Sequence, residues 1–367
     1  MSADNDLHTL FRKISCIAES SAQRRHPAAR VFRFSRAGRR HMKVKVAAVQ
    51  PLGNYGDEEY RDLESALRYI DIATEQGAQL VCFPEGYPGP YSGPMDSNGK
   101  LAKHPIESLR EKAMEKGIYI YAGCLEENEE IKDTYYLCQK LISPEGAILA
   151  DYKRTHPTHP LANTRFMGGK MHIVPGEEFF VLDTGIGRIG LCICSEIWAP
   201  EIPRILMLKG AQIILAPGRG SPFAGSGNLR DNWHCIARAR AIENVVYVVM
   251  NQVYFAERGG LGRAAMFGPE FPLGTLTTAG VLVADFDLDR IDEIRNRYYD
   301  EEALSAPKSV KDVFYNRIGQ VYERRPELYG LLTRPMEQSF NYKYYENDLD
   351  SYKIEYERVK GLSYWEE

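Results

Sequence analysis

From residue 43 onward, apolar positions along the chain recur in two alternating rhythms. KVKVAAVQ (43–50) has the short apolar character of a strand. EEYRDLESALRYIDIATEQG (58–77) places Leu63, Ala66, Leu67, Ile70 and Ile72 close to helical spacing and stops on Gly77, which predicts a helix closed by glycine. AQLVCFPE (78–85) reads as a buried strand ended by Pro84, and IESLREKAMEKG (106–117) as a second glycine-closed helix. Three strands follow at 118–126, 134–143 and 146–153, with turn residues between them, and then a long loop at 155–178. The second half repeats the style. FFVLDT and GRIGLCIC (187–194) are strands, 200–210 a helix, 211–218 a strand, 232–245 a helix and 245–252 a strand. Two more strands fall around 273–288.

Alternating strands and helices, with strands in excess, predict an α/β fold whose helices cover sheets. Composition bounds the function. The chain has 367 residues, 44% of them hydrophobic, which suffices for a sizeable core. A net charge of -4 gives no basic field for nucleic acid. The longest apolar runs, such as 245–250, are too short to span a bilayer. The seven cysteines are dispersed and form no CxxC pair, which suits reduced thiols in a cytoplasmic protein. Residues 1–42 read as a disordered N-terminal extension: the first 41 hold eight arginines and no sustained period. Met42 directly precedes the first convincing strand. The main domain is read as 43–292. Residues 293–367, rich in tyrosine, read as an extension suited to a subunit interface.

Two places carry candidate chemistry. Cys194 ends an apolar strand and precedes a polar turn leading to a helix, a setting that exposes a thiol and lowers its pKa. Taken alone, it reads as one more core cysteine, as Cys192 does. Glu85, in FPEGYPG (83–89), follows a buried strand, where partial burial raises a carboxyl toward the value a general base needs.

The segment 187–218 resembles the nitrilase, or carbon–nitrogen hydrolase, superfamily. Gly187, Ile189, Gly190, Ile193, Cys194, Glu196, Pro200, Glu201 and Arg204 fit its nucleophile motif and the helix after it. FPE at 83–85, RARAIEN at 238–244 and the strand ending at Asn251 also fit, so the resemblance covers roughly residues 43–292. It implies a four-layer α-β-β-α sandwich with a C-terminal extension. It implies Cys194 as nucleophile and Glu85 as the catalytic glutamate. It also implies Ser195, Glu196 and Trp198 around the oxyanion and substrate, His156 and Glu243 in support, and an oligomer with 197–209 as a dimer face.

The sequence departs from the family at ADYKRTHP (150–157), where an ungapped match puts Arg154 at the position of the oxyanion-stabilising lysine and Lys153 beside it. Neighbouring strand residues point oppositely, so only one of them faces the thiol. Arg154 does the lysine's work, or a bulge turns Lys153 inward, or the chemistry is lost and a binding protein remains. The loop 155–176 has no acidic residue, although many amidases of the family carry a second glutamate there. His156, His159 and His172 fit no metal-ligand spacing, so no metal is expected. The glycine-rich 218–227 lacks the ending of a phosphate loop and reads as pocket wall. The resulting expectation is hydrolysis of small amide or N-carbamoyl C–N bonds through a thioester, without a cofactor. The alternatives are a nitrilase, although Cys194-Ser195-Glu196 lacks that branch's Cys-Trp-Glu, and a catalytically inactive binding protein.

Overall fold

The computed structural model describes residues 42–54, 58–90, 103–131, 134–157, 172–219, 227–254, 262–297, 324–336, 354–355 and 357–358. Two sheets form the centre. The first runs β13 (Gly280–Asp287), β1 (Lys43–Gln50), β2 (Leu80–Cys82), β3 (Tyr119–Glu127), β4 (Thr134–Ile142) and β5 (Ile148–Lys153), with β6 (His172–Ile173) also on β4. The second runs β12 (Pro272–Thr275), β11 (Ala265–Phe267), β10 (Tyr247–Met250), β9 (Ile213–Leu215), β8 (Gly187–Leu191) and β7 (Val181–Thr184). Five α-helices are described: α1 (Arg61–Glu75), α2 (Pro105–Lys116), α3 (Glu201–Leu208), α4 (Gly227–Asn244) and α5 (Leu288–Arg297).

Strand alternation sorts the apolar side chains into three layers. On β1, Val44, Val46 and Ala48 face the second sheet, meeting Ile189, Leu191 and Ile213 in the central core. Ala47 and Val49 on the same strand face outward and pack with Ala66, Ile70 and Ala73 of α1 and Leu109 and Ala113 of α2. On the far side, Ile202 and Leu206 of α3 and Ala237 and Ala241 of α4 cover Ile214 and Val248. The result is the expected α-β-β-α sandwich. Each buried aliphatic side chain contributes about 1.5–3 kcal/mol.

Local signals explain the helix ends. His104 caps α2 by accepting from the Ile106 N–H, Pro105 opens it, and Gly117 closes it with φ 65°. On α1 the buried line is Ala66, Ile70 and Ala73, while Ile72 is exposed. β6 and β11, of two and three residues, are additional to the sequence reading, since each is recruited by pairing, with β4 and β10 respectively. α5 runs through the expected boundary at 292, and its Ile291 and Ile294 belong to the central core. The N-terminal extension, His159 and most of the tyrosine-rich tail lie outside the described residues. Among the described residues, no helix is long and apolar enough to cross a membrane.

Candidate active site

The site forms where strand ends of both sheets meet. Cys194 follows β8 and opens a short 3-10 turn (Cys194–Trp198). Its backbone is left-handed, φ 54°, an unusual and strained state for a residue with a Cβ. The Cys194 N–H donates to the Pro217 carbonyl (2.6 Å), which ties the turn to the end of β9. A Cβ on Gly218 would sit 3.5 Å from Cys194 Sγ, so this backbone flanks the sulfur.

Glu85 comes from the loop after β2 of the other sheet and is 2% exposed. Its N–H donates to the Gly218 carbonyl (3.3 Å), and its Oε2 accepts from the Arg219 N–H (3.0 Å). Gln139 on β4 fixes the loop. Its amide donates to the Phe83 and Pro84 carbonyls, and its oxygen accepts from the Gly86 N–H. A Cβ on Gly123 would collide with that Gln139 oxygen, so glycine is needed there for close approach. Asn251, at the end of β10, donates to the Val49 and Cys82 carbonyls and so straps the two sheets together.

Arg154 lies just beyond β5, on the same face as the buried Ala150 and Tyr152. It is 2% exposed, and its Nη1 donates to Glu85 Oε1 at 2.7 Å. Its Nη2 donates to Ser195 Oγ, and its Nε to the His156 carbonyl (3.0 Å). Lys153 takes the opposite face, with its Nζ 4.0 Å from the Tyr136 ring centroid. The register shift between β4 and β5 falls at Leu141 and Ile142, and Cys138 still pairs with Lys153. A bulge therefore does not turn Lys153 toward the thiol. The cation beside Glu85 and Ser195 is the arginine, which corrects the inclusion of Lys153 in the site.

The thiol corrects another expectation. Burial and the neighbouring Glu85 carboxylate, against the pull of Arg154, push Cys194 up to about 12 rather than down. The thiol also hydrogen-bonds Glu85. A five-residue 3-10 turn adds too little dipole to reverse this. At that value the resting sulfur is a protonated thiol.

The other expected pocket and support residues take the following places. Glu196 is fully buried below the site, not in its wall. Its carboxylate accepts from the N–H groups of Ile193, Thr155 and His156, from the Thr155 hydroxyl and from the Tyr152 hydroxyl, all within 2.9 Å. It thereby anchors the loop carrying Arg154 to the turn carrying Cys194. Trp198 is 39% exposed, and its ring meets Trp233 edge-on at 5.4 Å. Glu243 is half-buried and pairs with Arg240 (3.0 Å), and it is Arg240 that holds the Ile197 and Trp198 carbonyls. His156 stacks on Phe179 and offers its carbonyl to Arg154.

The sequence reading gave no individual role to Gln139, Arg219 or Asn251. Their signal was a polar residue inside or just after an otherwise apolar strand. A separate cluster of Glu126, Cys138 and Asp151 has metal-like spacing. Lys140 Nζ, however, lies 2.7 Å from both carboxylates, so an ammonium already fills it.

Comparison with known proteins matches this arrangement to one family. The family model described as carbon-nitrogen hydrolase matches residues 45–296. An omega-amidase, NIT2-B of Xenopus laevis, is 28% identical over 247 residues, covering 64% of this chain and 86% of the relative. Human omega-amidase NIT2 is 27% identical over 241 residues, covering 63% and 85%. Among solved structures, a carbon-nitrogen hydrolase from Helicobacter pylori superposes with a TM-score of 0.64 at 20% identity, covering 80% of this chain and 99% of that one. An amidase from Nesterenkonia sp., solved with the acetamide moiety of fluoroacetamide added at its active-site cysteine, gives 0.56 at 22% identity, covering 72% and 97%.

Proposed function

This chain belongs to the carbon–nitrogen hydrolase family, and on that footing we propose that it is an amidase working through Cys194, Glu85 and Arg154. The carrying observation is the contiguous set of a partly buried Cys194 thiol, the buried Glu85 carboxylate and the buried Arg154 guanidinium at the strand ends of both sheets. Amide and N-carbamoyl carbonyls are the substrates it fits.

In this reading Glu85 takes the thiol proton as the sulfur attacks the carbonyl carbon. A thiol raised to about 12 makes that transfer a requirement, not an aid. The S–C bond forms and the carbonyl π electrons move onto oxygen. Arg154 and the Ser195 N–H stabilise that oxyanion. A guanidinium fits the task, because it stays charged when buried and donates in a fixed plane. Collapse breaks the C–N bond, and Glu85 passes its proton to the departing ammonia or amine. Water, losing a proton to Glu85, attacks the thioester. The acid leaves and the proton returns to the sulfur. Every step uses groups of this chain, the substrate and one water.

We further propose a cytoplasmic homo-oligomer. The described cysteines are all free thiols, which suits a reducing cytoplasm. Trp198, Ile205 and Leu208 leave an apolar exposed face on the 3-10 turn and α3, which supports a homo-oligomer.

The test is an ammonia-release screen over amides, N-carbamoyl amines and nitriles, run beside Cys194→Ala. Release from amides or carbamoyl compounds, lost in the variant, supports the reading. Turnover of nitriles alone, or release that survives the variant, refutes it.

A further inference from the structure

Arg219, like Arg154, is buried against the Glu85 loop, at 3% exposure. It follows the Pro217–Gly218 backbone that flanks the Cys194 sulfur. Its main chain is fixed from two sides. The Gly218 N–H donates to the Asn251 carbonyl (2.8 Å), and the Arg219 carbonyl accepts from the Val253 N–H (3.1 Å). The Arg219 N–H donates to Glu85 Oε2 at 3.0 Å and also hydrogen-bonds the Cys194 sulfur. One backbone donor therefore faces both the base and the nucleophile.

The Arg219 side chain makes different contacts. Its Nη1 donates to the Gly86 carbonyl (3.1 Å) and its Nη2 to Glu59 Oε1 (3.0 Å). Glu59 is itself buried, in the turn entering α1, where its carbonyl accepts from the Asp62 N–H (3.0 Å). Tyr87, the next residue of the loop, is tied to the same helix end, its hydroxyl donating to the Asp62 carbonyl (3.1 Å). The residues just after the base are thus held to the start of α1 at two points. A buried ion pair adds little net stability over apolar packing, because desolvating both charges offsets their attraction. What a guanidinium adds is direction, since donors in one rigid plane fix Gly86 and Glu59 relative to each other. Gly86 directly follows Glu85, so this fork sets where the carboxylate is carried.

We propose that Arg219 is a positioning residue for the proton transfer between Cys194 and Glu85, its side chain anchored on Gly86 and Glu59 so that its own N–H stands between carboxylate and sulfur. This rests on the amidase reading of Cys194 and Glu85 and adds the part that aims the base. At rest the N–H serves the carboxylate. During transfer the S–H bond breaks, its electron pair stays on sulfur, and an O–H bond forms on Glu85. The negative charge has then moved to the sulfur, where the same donor meets it. Nothing has to reorganise as the charge moves, because the helix end supplies the rigidity. The guanidinium contacts the loop and the turn before α1, so it acts through the main chain and not on the substrate.

The experiment measures kcat and KM on a turned-over amide for wild type, Arg219→Met, Arg219→Lys, Glu59→Gln and the Arg219→Met/Glu59→Gln double variant, each well below its melting temperature. Misplacing the base predicts that Arg219→Met lowers kcat about tenfold to a hundredfold, with KM held within about threefold. Arg219→Lys recovers part of the loss, because an ammonium keeps the pair with Glu59 but not the planar fork. Glu59→Gln lowers kcat about threefold to tenfold and adds little in the Arg219→Met background, since both act through one contact. A wild-type kcat in Arg219→Met or Glu59→Gln, a loss confined to KM, or fully additive losses overturn the proposal. If Arg219→Met does not fold, Glu59→Gln, which keeps a neutral acceptor in the same place, decides alone. A second arm reads the rate of Cys194 alkylation by iodoacetamide at fixed pH. It slows in Arg219→Met and in Glu59→Gln if the N–H is held toward the sulfur, and rates equal to wild type refute this. If wild type releases ammonia from no amide, the amidase reading fails, while the alkylation arm still decides what Arg219 does.

Discussion

Arg154 bridges Glu85, Ser195 and the His156 carbonyl from a position 2% exposed. Lys153, one residue earlier, lies on an aromatic ring on the other face of the strand. Removing one partner of a buried ion pair costs about 3–5 kcal/mol. Arg154→Met is therefore expected to lower the melting temperature and to cut kcat at least about a hundredfold. Lys153→Met is expected to change kcat less than about threefold. Steady-state kinetics with a melting curve for each variant checks both, and equal losses would refute the assignment. The raised thiol gives a second expectation. Alkylation of Cys194 by iodoacetamide should still be accelerating as pH passes the free-cysteine value of about 8.5, without a plateau there. Mass spectrometry of the Cys194 peptide across pH measures this, and a plateau below pH 8.5 would show a depressed thiol instead. The sequence made the Arg154/Lys153 choice legible only as an alternation, two adjacent cations of which one faces inward. Which face was inward depended on Tyr152 and Ala150 entering the central core, and that packing comes from the opposing sheet. The thiol's upward shift was illegible, because it comes first from burial between the two sheets and then from Glu85, 109 positions away in the chain.

At the scale of elements, Glu196 and Asp62 carry the tests. Glu196 gathers five donors from β5, its following loop and the end of β8. Glu196→Ala leaves buried donors unmet and should cost at least about 3 kcal/mol, read as a shift in the urea midpoint. Asp62 lies fully buried in the first turn of α1, accepting from Asn54. Burial pushes its carboxyl up to about 7, with Asn54 and Arg219 pulling the other way. The raised value favours the protonated acid in the folded state. That contribution is full below the unfolded value of about 3.9 and is lost as pH rises through 7. At about 1.4 kcal/mol per pKa unit, wild type should lose up to about 4 kcal/mol from this group between about pH 4 and pH 8. Asp62→Asn should remove most of that slope in urea midpoints measured across the range, and an unchanged slope would contradict it. Elements with a clear apolar pattern, such as β1, α2 and α3, were legible from it, and in α2 the caps agree with that pattern. β11 was not, because its three residues are recruited by pairing with β10, not by local propensity.

At the scale of the whole molecule, the two-sheet sandwich follows from strands that bury both faces, one on the other sheet and one on helices. The apolar runs made helices covering sheets readable, and the family resemblance implied the four layers. The meeting of Glu85 from one sheet with Cys194 from the other was readable only through the family resemblance, since no local pattern places the two sheets' ends together. The exposed apolar face of Trp198, Ile205 and Leu208 predicts self-association. Sedimentation at micromolar concentration should show a dimer or larger species, and Leu208→Glu should shift it toward monomer. A monomeric wild type would rule that face out.

The central claim is that Cys194 carries the acyl group while Glu85 manages its proton. Rapid-quench mass spectrometry of the protein mixed with a turned-over amide tests it most directly. The account predicts that the peptide containing Cys194 gains the mass of the amide less ammonia. It also predicts that Cys194→Ala shows no adduct and no turnover, and that Glu85→Gln accumulates little adduct. An adduct on another residue, or ammonia release persisting in Cys194→Ala, would contradict it.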